Sequence, residues 1–175
     1  MAGVLGAILA GGEARRFGSD KAMALFEGRP LIDHVAAGLR GQTEAVIVVG
    51  RRYGALTSVA DRPAPGLGPL GALAGALHWA RAKGFAAVLS APCDVPLLPD
   101  DLAVRLSGQG AAYVEGLPVL GWWPSALADD LADWLAADRP RAVRRWAAAV
   151  GARAVVLEGL PVNVNTVEDL AALRR

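Results

Sequence analysis

The sequence predicts a three-layer α/β sandwich with a mostly parallel sheet, formed by residues 1–175 as a single domain. Short apolar runs of strand length alternate along the chain with longer, often alanine-rich segments of helix length, which is the pattern of α/β folds. The runs are apolar at consecutive positions, as in parallel strands that helices cover on both faces. With 175 residues, 54% of them hydrophobic, the chain can bury the core of one such domain.

Each predicted strand is an apolar run, and each predicted helix is a longer segment with terminal signals. The strands are Val4–Ala10, Ala45–Val49, Phe85–Ala91, Ala111–Glu115, Pro118–Trp122 and Ala154–Leu157, the fourth and fifth paired around Gly116. The helices are Pro30–Leu39, Leu70–Lys83, Pro99–Leu106, Ser125–Ala137, Arg139–Val150 and Thr166–Leu173. Pro30 suits a first helical position, and Asp100 and Asp101 suit a first turn because they complement the helix dipole. Thr166 with Asp169 is close to a capping box.

The composition argues against several classes of protein. The chain has 18 basic and 17 acidic residues and no basic stripe, so we expect no nucleic-acid partner. No apolar run approaches the ~20 residues of a membrane span, so we expect no membrane partner. A single cysteine does not support a disulfide framework or a multi-cysteine zinc site. The first residues lack the pattern of a signal peptide, which predicts a cytoplasmic location.

The segment Leu9–Lys21 follows the first predicted strand, where α/β folds bind ligands. It is too long and too charged for a simple turn, and its paired glycines can direct several backbone N–H groups towards a phosphate. Arg16 and Lys21 would add positive charge. The segment matches neither the dinucleotide-binding fingerprint nor the Walker loop. The alternative is a solvated loop in which these cations pair with Glu13 and Asp20.

A rigid acidic turn follows the third predicted strand. Asp94 has a proline two residues away on either side, and a stiff carboxylate suits Mg²⁺, which binds one or two carboxylates together with phosphate oxygens and waters. The alternative is an aspartate that accepts from N–H groups of its own turn. We interpret Cys93 as a small buried side chain rather than a nucleophile. His34 and His78 stand alone on predicted helices, so no hydrolase triad is predicted.

Two further segments carry candidate binding residues. Asn163 and Asn165 are spaced by two and project to the same side of an extended segment, although asparagines of this kind also serve in turns and caps. Arg141 belongs with Arg144 and Arg145 on one face of a predicted helix by their i+3 and i+4 spacing. This face would bind an anionic acceptor, or it would pair with the acidic helix that carries Asp129, Asp130 and Asp133.

The chain resembles the nucleotidyltransferases with LAGGxxxRxG…DK after their first strand, and most closely the molybdenum cofactor guanylyltransferase family. The resemblance extends from Leu9 to Leu170 and includes the PCDxP turn, a D…GPLxG segment that begins at Asp61, and NxNT near the end. It implies a Rossmann-like nucleotidyltransferase fold. It also implies Mg²⁺-dependent transfer of GMP from GTP to the phosphate of molybdopterin or molybdenum cofactor. The implied partners are these two substrates and molybdoenzyme-maturation proteins.

The resemblance also implies a set of site residues. The nucleotide-binding residues would be Leu9, Ala10, Gly11, Gly12, Lys21, Asp61, Gly68 and Asp94. The catalytic residues would be Arg16, Lys21 and Asp94, the last also being the metal ligand. The acceptor-binding residues would be Arg141, Asn163 and Asn165. The Gly11–Gly12 pair resembles the guanine-using branch, since related cytidylyltransferases typically have Ala-Gly.

Three positions depart from the family pattern. Val49 stands where the family often has a nucleotide-contacting asparagine, Gly71-Ala72 reverses the usual order, and Leu117 replaces a polar residue. Two alternatives therefore stay open. One is a cytidylyltransferase acting on the same pterin or on another small phosphorylated acceptor, and the other is a regulatory nucleotide-binding module without turnover.

Overall fold

The computed structural model describes residues 3–11 and 20–173. The strands and helices follow one another in this order: β1 Val4–Leu9, β2 Leu25–Phe26, β3 Arg29–Pro30, α1 Leu31–Arg40, β4 Ala45–Val49, β5 Thr57–Val59, α2 Gly68–Ala82, β6 Ala87–Pro92, α3 Leu102–Leu106, β7 Ala112–Val114, β8 Leu117–Pro124, α4 Ala128–Ala136, α5 Val143–Ala149, β9 Arg153–Val155 and α6 Val167–Ala172. Two 3₁₀ turns, Lys21–Met23 and Ser125–Leu127, complete the list. Among the helices of these two ranges, none is both long and apolar enough to cross a membrane.

Seven strands form one sheet in the order β5-β4-β1-β6-β8-β7-β9. The first four are mutually parallel, and β8 runs antiparallel to β6 and β7. The prediction of a mostly parallel sheet is therefore confirmed. Because β1 lies between β4 and β6, the chain turns to one side of β1 first and to the other side later, and this switch opens a crevice at the carboxyl ends of the strands.

The core lies on both faces of the sheet, as the uninterrupted apolar runs predict. Leu5 and Leu9 of β1 pack with α2, α4 and α5 on one face. Ile8, on the opposite face of the same strand, packs with α1 and α3. Each fully buried leucine or isoleucine stabilises the fold by roughly 1.5–3 kcal/mol relative to exposure. This alternation gives the three-layer arrangement.

Several predicted helix starts are displaced, two of them through contacts that the sequence pattern does not show. Pro30 precedes α1, which begins at Leu31, and pairs with Leu25 in a small hairpin that the sequence analysis missed. The helix predicted from Pro99 begins only at Leu102, with Asp101 as its N-cap residue. The side chain of Gln42 contacts this start: its Nε2 donates to the Pro99 carbonyl, and its Oε1 accepts from the Ala103 N–H. The predicted acidic first turn was therefore wrong.

The arginine face predicted on Arg139–Val150 is also wrong. Pro140 disfavours helical backbone angles at Arg139, and the helix begins only at Val143, after the extended N-cap residue Ala142. Arg141 therefore lies ahead of the helix that carries Arg144 and Arg145, and its guanidinium is 3.7 Å from the Asp138 carboxylate.

The predicted pairing of this face with the acidic helix does not occur among the described ion pairs. Asp129 of α4 pairs with Arg81 of α2, and Asp130 accepts a hydrogen bond from the Trp146 indole at 2.8 Å. The last helix follows its prediction: the Thr166 side chain accepts from the Asp169 N–H, and the Asp169 carboxylate accepts from the Thr166 N–H, which completes the capping box.

Candidate active site

A pocket of about 340 Å³ opens at the carboxyl ends of β1 and β6. Its lining combines charged or polar residues with apolar ones, so it suits a ligand that has both characters. The charged or polar lining residues, called the polar side below, are Asp20, Lys21, Arg51, Asp94 and Asn163, and the others form the apolar side. The remaining lining residues are Leu9, Ala10, Gly11, Ala22, Gly68, Pro69, Ala72, Pro92, Cys93, Leu117 and Val119.

Lys21 forms the centre of the polar side. Its Nζ donates to Asp94 Oδ2 at 2.6 Å and to Asn165 Oδ1 at 2.7 Å. The side chains of Lys21 and Asp94 are only 14% and 16% exposed, so this is a largely desolvated ion pair. The structure thus brings together three of the predicted site residues, which lie far apart in the sequence. The alternative, in which Lys21 pairs with Asp20 in solvent, is wrong because Asp20 pairs with Arg51.

The C-terminal segment closes one side of this centre. The Val164 N–H donates to the Asp94 carbonyl at 2.8 Å, and the Val164 side chain is fully buried with Phe26 and Leu31. Because successive side chains of an extended segment alternate in direction, the two neighbouring asparagines face the site. Asn163 lines the pocket and Asn165 contacts Lys21.

Four buried side-chain atoms in this region have no hydrogen-bond partner among the described residues: Arg51 Nε, Asp61 Oδ1, Asp94 Oδ1 and Asn163 Oδ1. Three of these residues line the pocket, and the fourth lies directly behind Gly11. An unsatisfied buried polar group costs roughly 1–3 kcal/mol and is rare in native proteins. The concentration of these four atoms in one region indicates that a polar ligand supplies their missing hydrogen-bond partners.

Gly11, Gly50 and Asp61 form a close cradle at the ends of β1, β4 and β5. Gly50 has φ +86°, and a Cβ there would lie 2.5 Å from Gly11 Cα. A Cβ on Gly11 would lie 3.3 Å from Asp61 Oδ2. Burial raises the pKa of the Asp61 carboxyl above its ordinary value. Only glycines allow the two strand ends to approach so closely.

One of the three departures from the family pattern, Val49, has a structural explanation, and the other two line the pocket. Val49 is fully buried in the core against α2, so this position contributes packing rather than a ligand contact. Ala72 lines the pocket from the first turns of α2, next to Gly68 and Pro69. Leu117 also lines the pocket, and with Val119 it forms part of the apolar side.

Among the described residues, Cys93 and His34 do not form a nucleophilic site. Burial, with a smaller effect of neighbouring Asp94, raises the pKa of the Cys93 thiol to about 11, which keeps it protonated at neutral pH. His34 Nε2 lies 2.8 Å from the Phe26 carbonyl, so this histidine has a structural role. The structural role predicted for His34 agrees with this geometry, whereas Cys93, predicted to be buried, is only partly buried and lines the pocket.

Not every predicted site residue reaches this pocket. Gly12 and Arg16 lie outside the described residues. Arg141 is not among the lining residues and is engaged with Asp138. Gly50 and Arg51, which directly follow the predicted strand Ala45–Val49, were not among the predicted site residues. Their position at the carboxyl end of a buried strand was a signal that could have identified them.

Comparisons with known proteins point to one family. The protein-family model described as "MobA-like NTP transferase domain" matches residues 6–155 of the chain. A molybdenum cofactor guanylyltransferase from Cereibacter sphaeroides is 41% identical over 182 residues, covering 96% of this chain and 94% of that protein. Molybdopterin-guanine dinucleotide biosynthesis protein A from Archaeoglobus fulgidus has a similar structure, with a TM-score of 0.78 at 20% identity, covering 96% of this chain and 95% of that one. A Mycobacterium tuberculosis H37Rv protein, solved in complex with manganese, has a TM-score of 0.69 at 13% identity, covering 98% and 97%.

Proposed function

Because the chain belongs to the family of MobA-like NTP transferase domains, we propose that the pocket at the ends of β1 and β6 is its catalytic site. The protein is a nucleotidyltransferase that transfers GMP from GTP in molybdenum cofactor biosynthesis. The observation that carries the site assignment is the desolvated Lys21–Asp94 pair, surrounded by buried polar atoms without partners. A triphosphate with its metal ion supplies both the negative and the positive charge that such a site can bind.

In the proposed reaction the terminal phosphate of molybdopterin attacks the α-phosphorus of GTP. A bond forms between the attacking phosphate oxygen and the α-phosphorus, and the bond from the α-phosphorus to the bridging oxygen breaks. Pyrophosphate leaves with that electron pair. Since a phosphate monoester is largely ionised at neutral pH, no general base is needed. Lys21, together with Arg16 of the family motif, would neutralise the charge that develops on pyrophosphate.

The residues around Asp94 fit a divalent cation. The family typically uses such an ion, and one neighbour of similar fold was solved with manganese. Asp94 Oδ1 is buried and has no partner among the described residues, which leaves one carboxylate oxygen for a metal ligand. We assign Mg²⁺, which prefers oxygen ligands and combines protein carboxylates with phosphate oxygens. When bound, this ion would neutralise phosphate charge and orient the triphosphate.

The cradle of Gly11, Gly50 and Asp61 is our candidate for the nucleotide base and ribose. The edge of guanine carries two adjacent N–H donors, which complement a carboxylate such as Asp61. Cytosine presents an acceptor at the equivalent ring nitrogen and fits a carboxylate less well. The base preference therefore has a physical basis in a partly buried acceptor. The names of the curated relatives also favour guanine over the cytidylyl alternative.

We further propose that the acceptor is molybdopterin or its molybdenum-bearing form, approaching from the apolar side of the pocket near Leu117 and Val119. Asn163, which also lines the pocket, would contact the acceptor. The reaction would take place in the cytoplasm, where GTP is available, and molybdoenzyme-maturation proteins would receive the product. Arg141 remains a candidate for acceptor binding only if the acceptor extends beyond the pocket.

Pyrophosphate release tests the proposal. Wild-type protein with Mg²⁺ and molybdopterin should release pyrophosphate with GTP and much less with CTP. Asp94→Asn should lower the rate by on the order of 10²-fold, since charge neutralisation of this kind contributes several kcal/mol. Asp129→Asn, at an exposed carboxylate that pairs with Arg81, is the control and should retain the wild-type rate. Near-normal turnover of Asp94→Asn would disprove the site assignment.

A further inference from the structure

We propose that Arg51 is a positioning residue, which acts through its ion pair with Asp20 to hold Lys21 in the pocket. This inference rests on the proposed catalytic role of Lys21. Arg51 Nη1 donates to Asp20 Oδ1 at 2.8 Å, and Nη2 donates to Asp20 Oδ2. A two-pronged contact of this kind fixes both the distance and the orientation of the carboxylate.

The backbone of Arg51 is held by the sheet, so its side chain starts from a rigid position. The neighbouring Gly50 N–H donates to the Val59 carbonyl at 3.0 Å. The Ser58 hydroxyl donates to the Arg51 carbonyl at 2.7 Å. Two residues later, the Tyr53 hydroxyl donates to Asp33 of α1 at 2.9 Å. Arg51 is therefore attached to β5 and lies close to a contact with α1, although no regular element includes it.

Asp20 transmits this position to Lys21. It is the N-cap residue of the 3₁₀ turn Lys21–Met23, and its Oδ1 accepts from the Ala22 N–H at 3.3 Å. Its carbonyl accepts from the Met23 N–H at 3.0 Å. A turn of three residues cannot maintain itself, because too few hydrogen bonds offset the entropy of ordering it. The capping carboxylate and the buried Ala22 side chain hold the turn, and Arg51 holds the carboxylate.

The Arg51–Asp20 contact is one of two attachments of the chain near the carboxyl end of β4, one before and one after residues 12–19. Before them, the Ala10 N–H donates to the Val49 carbonyl at 3.0 Å. After them, Asp20 pairs with Arg51. Both attachments are made to the carboxyl end of β4 or to the residues directly after it. Since Lys21 has a long flexible side chain, its placement depends on this attachment as well as on Asp94 and Asn165.

One competing role for Arg51 must be distinguished. Its Nε is buried without a partner among the described residues, and a guanidinium is a good phosphate ligand. If Arg51 bound the triphosphate directly, Asp20 would only compete for it. Removing Asp20 would then spare or improve GTP binding. If Arg51 acts through Asp20, removing either residue has the same consequence.

The kinetic test is a double-mutant cycle of Arg51→Ala and Asp20→Ala, with GTP varied at saturating acceptor. We expect each variant to lower kcat and kcat/KM together by about tenfold or more, because a contact made in the transition state is lost. The double variant should be no worse than the single ones. Arg51→Lys should recover only part of the rate, since an ammonium cannot bind both oxygens in a fixed fork.

Arg81→Ala is the matched control. Arg81 makes a similar two-pronged contact with Asp129, Nη2 to Oδ1 at 2.8 Å and Nη1 to Oδ2 at 2.6 Å, between α2 and α4. It lies outside the pocket lining, so its removal should leave kcat/KM unchanged. Arg81→Ala should unfold close to the wild-type temperature, since its exposed pair with Asp129 contributes at most about 1 kcal/mol. Arg51→Ala and Asp20→Ala should unfold at somewhat lower temperatures, because their pair is less exposed and Asp20 also caps the turn.

A labelling experiment tests the inference independently of turnover. The sequence contains two lysines, Lys21 and Lys83; Lys21 is 14% exposed, and Lys83 is exposed. Acylation with an amine-specific reagent, followed by peptide mass spectrometry, gives the ratio of Lys21 to Lys83 modification. The ratio should rise at least threefold in Arg51→Ala and Asp20→Ala, but not in Arg81→Ala.

The outcomes separate the two proposals. A raised Lys21 ratio supports the positioning role even if the wild-type protein releases no pyrophosphate, a result that would instead contradict the proposed function. An unchanged ratio overturns the inference. It is also overturned if Asp20→Ala keeps full kcat/KM while Arg51→Ala loses it, because Arg51 would then contact the nucleotide directly.

Discussion

Replacing Lys21 with alanine should destabilise the protein as well as inactivate it. Lys21 Nζ lies 2.6 Å from Asp94 Oδ2, and both side chains are mostly buried. Truncation leaves the short, mostly buried Asp94 carboxylate without its counter-charge and with little access to water. Breaking a fully buried pair in this way costs about 3–5 kcal/mol. Because about a sixth of each side chain remains exposed here, we expect about 2 kcal/mol, which lowers Tm by about 4–8 °C in a domain of this size.

The loss of stability should differ according to which member of the Lys21–Asp94 pair is replaced. In Asp94→Asn the Lys21 ammonium keeps its contact with Asn165, and its long stem can extend to water. That variant should therefore lose less stability than Lys21→Ala. In the double variant both charges are absent, so it should be more stable than Lys21→Ala alone. The control is Lys83→Ala, which removes the other lysine at an exposed site and should leave Tm unchanged.

Thermal unfolding at neutral pH gives the Tm of all four variants, and the change in Tm on adding Mg²⁺ is a second test. In Lys21→Ala the metal no longer competes with an ammonium at Asp94, so Mg²⁺ alone should raise Tm more than in wild type. It should have little effect on either variant that carries Asp94→Asn. The reasoning is refuted if Lys21→Ala unfolds within 1 °C of wild type, or if the double variant shows the plain sum of the two single losses.

Two further substitutions test the cradle. Asp61→Asn should raise Tm at pH 7 and weaken GTP binding. Burial raises the pKa of the Asp61 carboxyl above its ordinary value of 3.8. The wild-type stability should therefore fall as the pH rises from 3.8 through the raised native pKa, and the variant should lack this decline in a pH series of melting curves. Equal dependence of Tm on pH in wild type and Asp61→Asn would contradict this prediction. Gly50→Ala should lower the free energy of unfolding, measured in urea, far more than Gly66→Ala. Both glycines have φ near +85°, but only a Cβ on Gly50 would meet backbone, at 2.5 Å from Gly11 Cα. Gly66→Ala should cost about 1–2 kcal/mol.

Much of the fold and part of the site followed from local sequence. Continuous apolar runs placed β1, β4 and β6 within one or two residues of their limits, because burial on both faces requires apolar side chains at every position. The same local reasoning placed Lys21 and Asp94 after strand ends, where the fold opens its crevice. It failed where a partner distant in sequence decided the structure: Gln42 contacts the start of α3, and the short β5, Thr57–Val59, depends on pairing with β4.

The sequence by itself determined which segments are strands and helices and which loops carry charge, because backbone preference and hydrophobic period are properties of neighbouring residues. Only the tertiary structure decided which charges meet. Lys21 contacts Asp94 and Asn165 across 73 and 144 residues of chain, and Asp20 joins Arg51 rather than Lys21. These pairings arise because packing of the sheet brings the strand ends together. The periodicity of one segment does not show which distant side chain will contact it.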